Sequence, residues 1–275
     1  MKLYRTERAT LLERDGALLE STSFSLDELF RGAAALPDKP DKTDGLDQFT
    51  ESKSGVESVL APLESQEVWA AGVTYFRSRE ARMEESEKEA DVYDRVYGAE
   101  RPELFFKATP HRVVGHGGRV VIRADSEWNV PEAELALAIN RAGRIFGYTI
   151  GNDMSSRSIE GENPLYLPQA KIYDGSCALG PCLYLSDEPL PTSTTIALRV
   201  TRSGNVVVEA ETSLEELKRE PEELVSYLFR EATFPAGCYL LTGTGIVPDA
   251  EFTLESGDVV TITIEPIGTL ENTVR

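Results

Sequence analysis

The sequence predicts a β-rich α+β fold with mostly antiparallel strands. Three observations carry this. Short runs such as EVWAAGVTY, IALRVTRSGNVVVEAET and DVVTITIEPIG are rich in β-branched and aromatic residues. Gly, Pro, Asn and Asp punctuate the runs at short intervals. Few helical patterns lie between them, which argues against a doubly wound parallel sheet.

Two regions follow from composition along the chain: a small N-terminal domain over 1–66 and a main catalytic domain over 67–275. In the first, ATLLER and ALLES flank Asp15-Gly16, a hairpin signal. SLDELFRGAAAL follows, with Ser25 and Glu28 in capping-box spacing. The polar stretch PDKPDKTDGLDQFTESKSG then reads as a linker or surface loop. From Gln66 onward, EVWAAGVTY is a buried strand. FRSREARMEESEKEADVYDRVYG is a charged helix or a lid, and ELFFKATPHRVVGHGGRVVIR holds two strands around a Gly-rich turn.

Pro131–Asp153 comes next and reads as a pair of strands. MSSRSIEG after it has a short helical pattern, and the run around Ser203-Gly204-Asn205 is a hairpin. Ser213 and Glu216 form a second capping-box pattern, and Pro221 takes the first position of a helix. CYLLTGTG, DVVTITIEPIG and TLENTV are late strands.

At 41% hydrophobic and 27% charged residues, 275 residues suffice for a sizeable core. The formal charge of -19 argues against nucleic acid or a membrane surface as partner, because both want a basic face. No run of about 18 apolar residues is present, and the first residues lack the apolar core of a signal peptide. Cys177, Cys182 and Cys238 are odd in number and wrongly spaced for zinc. Buried thiols in a cytoplasmic protein are the expectation.

The chemistry concentrates in PEAELALAINRAGRIFGYTIGND. Side chains alternate along a strand, so Glu132 and Glu134 share one face with Ala136 and Ala138, while Ala133, Leu135, Leu137 and Ile139 form a core face. Two carboxylates about 7 Å apart at Cα repel each other. A divalent cation between them removes the repulsion, and oxygen donors suit Mg²⁺, Mn²⁺ or Ca²⁺. The plain alternative is two solvated glutamates on an edge strand. Asp153 closes the second strand. With MSSRSIEG helical, Asp153, Arg157 and Glu160 share a face; alternatively Asp153 is an N-cap with Arg157 as its surface partner. Lys171 is a lone cation beside an apolar tract, or simply an exposed lysine.

Several short motifs occur in a fixed order: Gly72-x-x-Tyr75, Leu104-Phe-Phe-Lys107, Glu132-x-Glu134-Leu135 and Gly147-Tyr-Thr-x-x-Asn-Asp-x-Ser-x-Arg157. Lys171-x-x-Asp174, Gly180-Pro181 and Thr242-Gly-Thr-Gly245 complete the set. As an ordered set spanning about Val68 to Val274 it resembles the fumarylacetoacetate hydrolase family. The resemblance implies a mixed β-sandwich roll, a bound Mg²⁺ or similar ion, and a homodimer or homotetramer. It implies that Glu132, Glu134 and Asp153 are the metal ligands, that Lys171 is the site lysine, and that Thr244 meets the substrate's carboxylate end.

One departure steers the activity. Members that hydrolyse carbon–carbon bonds carry a histidine shortly after the G-x-x-Y element. Here Ser78 and Arg79 stand there, and His111 and His116 sit in a turn-rich segment. The pattern is more similar to the 2-keto-3-deoxy-sugar-acid dehydratase branch. The expected reaction is dehydration of a 2-keto-3-deoxy sugar acid, such as 2-keto-3-deoxy-D-arabinonate to 2,5-dioxopentanoate, through a metal-stabilised enolate. Hydrolysis or decarboxylation of an acylpyruvate-type 2-keto acid is the alternative. Glu103 is the expected base, its carboxyl tuned upward by Leu104 and Phe105, the plain alternative being an exposed glutamate at a strand edge. Lys171 assists at the enolate oxygen or the leaving hydroxyl. Ser78, Arg79, Lys107, Arg157 and Thr244 are the expected substrate contacts, Lys107 being equally suited to pair with acidic residues. The TGTG amides are suited to cradle a carboxylate.

Overall fold

The computed structural model describes residues 1–32, 48–52, 55–76, 95–186 and 188–275. Ser78, Arg79 and nearly all of the expected linker and charged helix lie outside the described residues.

The strands run in chain order as β1 (Lys2–Arg5), β2 (Thr10–Arg14), β3 (Ala17–Ser21), β4 (Thr50–Glu51), β5 (Glu67–Gly72) and β6 (Glu103–Ala108). Then come β7 (Val113–Val114), β8 (Arg119–Val120), β9 (Asn129–Val130), β10 (Ala133–Ile139), β11 (Ile145–Asp153) and β12 (Ser155–Ser156). The last are β13 (Cys177–Leu185), β14 (Thr195–Arg202), β15 (Asn205–Ser213), β16 (Cys238–Leu241), β17 (Val259–Ile264) and β18 (Gly268–Val274). The described α-helices are α1 (Leu26–Phe30), α2 (Arg157–Glu162), α3 (Leu167–Lys171) and α4 (Pro221–Leu228). The strand-rich α+β expectation holds.

A mixed sheet has the order β4-β3-β2-β1-β13-β11-β10-β16-β5-β6, with β7 pairing β13 off this path. A second sheet has the order β15-β14-β17-β18-β8. Most pairs are antiparallel; β16 with β5, β7 with β13, and β8 with β18 are parallel. The leading segment is not set apart in the sheet, since β1 pairs with β13 through Lys2–Tyr184 and Leu3–Leu183.

Local chemistry explains the turns. Asp15 and Gly16 have φ 51° and 79°, the paired left-handed values of a two-residue hairpin turn between β2 and β3. Ser203 and Gly204 repeat this between β14 and β15, with φ 50° and 82°. Ser25 caps α1 by accepting the Glu28 N–H, as its spacing predicts. Ser213 makes no such cap bond, because Leu214–Glu216 form only a single 3₁₀ turn. Pro221 opens α4 as expected.

Two apolar layers flank β10. Leu135, Leu137 and Ile139 pack with Ile196, Leu198, Val260 and Ile262 of the second sheet. On the opposite face, Ala136 and Ala138 pack with Leu12, Phe30 and Tyr239. Phe30 of α1 stacks edge-on to Phe146 at 4.8 Å and lies 5.1 Å from Tyr239. Every residue of β10 is therefore buried. This corrects the edge-strand alternative: β10 is central, between β11 and β16, so Glu132 and Glu134 are not solvated.

Candidate metal centre

The site is built where β10 begins and β11 ends. The register sets Ala133 opposite Asn152 and Glu134 opposite Gly151, and the Asp153 N–H donates to the Glu132 carbonyl at 3.0 Å. This antiparallel register brings the start of one strand beside the end of the other. One carboxylate oxygen each from Glu132, Glu134 and Asp153 lies within 4.8 Å of the others. All three residues are buried, at 4%, 1% and 1% exposure.

Three cations surround the cluster. Lys171, at the C-terminal end of α3, donates to Glu132 Oε2 at 2.7 Å, Asp153 Oδ2 at 3.1 Å and Ser155 Oγ at 2.6 Å. An ammonium has three protons, and these three acceptors match them. Arg157, the first residue of α2, sets Nη2 at 2.9 Å from Glu132 Oε1. Lys107 in β6 reaches Asp153 Oδ1 at 2.5 Å and donates to the carbonyls of Met154, at 3.0 Å, and Lys171. Glu134 has another partner: its Oε2 accepts the Gly243 N–H at 2.5 Å.

The carboxyl of Glu134 is pushed well above the usual carboxylate range, first by burial and then by the charges of Asp153 and Glu132. Lys171 and the Gly243 amide oppose the shift but do not cancel it. Three buried carboxylates that bring one oxygen each within 4.8 Å of the others are a hard donor set suited to a divalent ion.

A cavity opens beside the cluster. It is lined by Glu132, Asp153, Arg157, Lys171, Thr244 and Glu103, with Gly72, Phe105 and Glu160 completing the wall. The structure thus brings together seven of the ten expected site residues around one centre, with Lys107 as an eighth behind it. Lys107 is fully buried and does not line the cavity. Of the two roles expected for Lys107, its position favours pairing with an acidic residue, Asp153. Its strand position in LFFKA turns it into the protein, where only a carboxylate and carbonyls can satisfy an ammonium.

Two further corrections concern local structure. Asp153 ends β11 and is not an N-cap; Ser156 caps α2 by accepting the Ile159 N–H. The Gly243 amide holds the protein's own Glu134, a use the TGTG motif did not disclose. Ser155, the hydroxyl partner of Lys171, stands in the Gly147–Arg157 motif, which by itself assigns it no role. Of the histidines, His111 is exposed on a 3₁₀ turn, and His116 Nδ1 accepts the Glu271 N–H away from the cavity.

Fold and site together define a class. The model of the fumarylacetoacetate hydrolase C-terminal domain matches residues 68–275, and the chain belongs to this family. Within it, the chain is 47% identical to the probable 2-keto-3-deoxyxylonate dehydratase of Haloferax volcanii, over 94% of this chain and 87% of that protein. It is 41% identical to the 2-dehydro-3-deoxy-D-arabinonate dehydratase of Saccharolobus solfataricus, over 100% of this chain and 96% of that one. A solved structure of 2-keto-3-deoxy-D-arabinonate dehydratase complexed with magnesium and 2,5-dioxopentanoate superposes with a TM-score of 0.83 at 37% identity, covering 100% of this chain and 99% of that chain.

Proposed function

We propose that this chain is a metal-dependent hydro-lyase that removes water from a 2-keto-3-deoxy sugar acid, with 2-keto-3-deoxy-D-arabinonate and its conversion to 2,5-dioxopentanoate as the reference case. The observation that carries the proposal is the buried triad of Glu132, Glu134 and Asp153, of which Glu132 and Asp153 line one cavity with Lys171 and Glu103. Its similarity to the two dehydratases along nearly the whole chain supports the same reading.

Glu132, Glu134 and Asp153 are the residues that hold Mg²⁺, with Mn²⁺ or Ca²⁺ as substitutes of the same hard class. When bound, such an ion supplies Lewis-acid polarisation of the keto group, which acidifies the adjacent C3–H. Glu103 takes the C3 proton. The electron pair left on C3 then forms the C3–C4 double bond as the C4–O bond breaks, and the protonated Glu103 returns its proton to the departing hydroxide, which leaves as water. The resulting 3,4-unsaturated 2-keto acid becomes 2,5-dioxopentanoate by tautomerisation, in which one C5–H and the C5 hydroxyl proton are lost while C3 and C4 each gain one. Lys171, its three N–H groups held by Glu132, Asp153 and Ser155, sets its positive charge at the cavity wall beside the oxygen where negative charge develops. Arg157 and Thr244 hold the substrate's carboxylate end, and Lys107 keeps Asp153 in place. Elimination needs no nucleophile, and no described histidine lines the cavity.

The chain takes a small 2-keto acid as its ligand. A homodimer or homotetramer and residence in the cytoplasm belong to the same proposal; three free buried cysteines support a reducing compartment. Among the described residues, no helix is long and apolar enough to cross a membrane.

The test is a substrate panel. Turnover of 2-keto-3-deoxypentonates with Mg²⁺, and none of acylpyruvates, is expected. Cleavage of acylpyruvates without dehydration of any 2-keto-3-deoxy acid reverses the assignment to a hydrolase.

A further inference from the structure

We infer that Gly72 is a positioning residue for the Glu103 carboxylate: the seat of the proposed base is the space left by a missing side chain. The inference rests on the reading of Glu103 as base.

Strands β5 and β6 pair antiparallel, and Gly72, the last residue of β5, stands directly opposite Glu103, the first of β6. Side chains of such a pair rise on the same face about 5 Å apart. Here the Glu103 chain lies back across Gly72. A Cβ built on Gly72 would overlap Oε2 of Glu103 and stand 2.7 Å from Cδ and 3.3 Å from Cγ. The three atoms nearest to that position all belong to Glu103. Both residues line the cavity that Glu132, Asp153 and Lys171 share.

Backbone freedom does not explain the glycine. Gly72 is not among the residues with positive φ, and it lies in a regular strand, a conformation open to alanine. Gly243 is the contrast. Its φ is 88°, and a Cβ there would run into Thr74 Oγ1 and stand 3.1 Å from the Ala71 carbonyl oxygen. A side chain at Gly243 strains the backbone. A methyl group at Gly72 meets only the far end of a flexible side chain, which rotates away at little cost to the fold. The carboxylate then leaves its place, and displacement by about 1 Å is enough to slow a proton transfer on the order of 100-fold.

The experiment is a cycle of Gly72→Ala, Glu103→Gln and the double variant in the metal-loaded full chain, with kcat, KM, Mg²⁺ Kd and Tm measured for each. Gly72→Ala is expected to lower kcat about 100-fold and leave KM, Mg²⁺ Kd and Tm close to wild type. On the Glu103→Gln background it is expected to lower kcat no further. Equal losses on both backgrounds, or a folding defect in Gly72→Ala, overturn the inference. So does an active Gly72→Ala beside an inactive Glu103→Gln, which leaves Glu103 as base untouched. Full activity of Glu103→Gln overturns the reading of the base itself.

Discussion

Hairpin β10–β11 and hairpin β14–β15 both set acidic side chains beside cations. In β14–β15, Arg199 Nε donates to Glu209 Oε1 at 3.0 Å, and the two side chains are 56% and 61% exposed. At the end of β10–β11, Glu132 and Asp153 meet Lys107, Lys171 and Arg157, with no side chain more than 6% exposed. Water screens the first pair and offers each partner an alternative. In the second group each charge depends on its neighbours, since removing one leaves another buried and uncompensated.

The contrast breaks first at Lys171. Lys171→Met removes the cation shared by Glu132, Asp153 and Ser155 and the positive charge beside the reacting oxygen. Steady-state assays are expected to show kcat lower by about 10³-fold. A loss below tenfold would demote Lys171 to a structural role. Lys107→Met comes next. Denaturant unfolding is expected to show a loss of about 3–5 kcal/mol, the cost of breaking a buried pair. If Lys107 were instead a substrate contact, KM would rise with little change in stability.

Glu134→Gln sharpens the comparison through pH. The Glu134 carboxyl is held above its ordinary 4.5 by burial and by its neighbours' charges. In metal-free protein its contribution to stability is complete below 4.5 and is lost as pH rises through the raised value. Wild type is therefore expected to lose stability against Glu134→Gln by about 1.4 kcal/mol per pH unit across that interval. Thermal melts in EDTA at stepped pH read this out, and saturating Mg²⁺ should abolish the loss in wild type only. The smallest effect belongs to the surface pair. Arg199→Ala is expected to cost at most about 1 kcal/mol and leave kcat unchanged.

Much of the centre was legible in the sequence because its parts are short-range. The alternation in Glu132–Ile139 placed both glutamates on one face, and the turn residues at Asp15-Gly16 and Ser203-Gly204 announced their hairpins. What stayed hidden depends on a second layer. Ala136 and Ala138 share the face of the glutamates, and only the fold shows that α1 and the leading strands cover them. The inward course of Lys107 follows from the packing of β6 against the ends of β11 and α3, which no local pattern encodes. Gly72 matters for the side chain it lacks and Gly243 for its amide, and only the fold shows that Glu103 lies across the first and Glu134 accepts from the second.

The central claim is that the triad holds a divalent ion on which dehydration depends. Its most direct test is a Mg²⁺ titration of EDTA-stripped protein, following dehydration of a 2-keto-3-deoxypentonate together with the heat of binding. One equivalent bound per chain, with activity rising from near zero in step with occupancy, and neither seen in Glu134→Gln, is the predicted result. Full turnover in EDTA, or binding unaltered by Glu134→Gln, would contradict it.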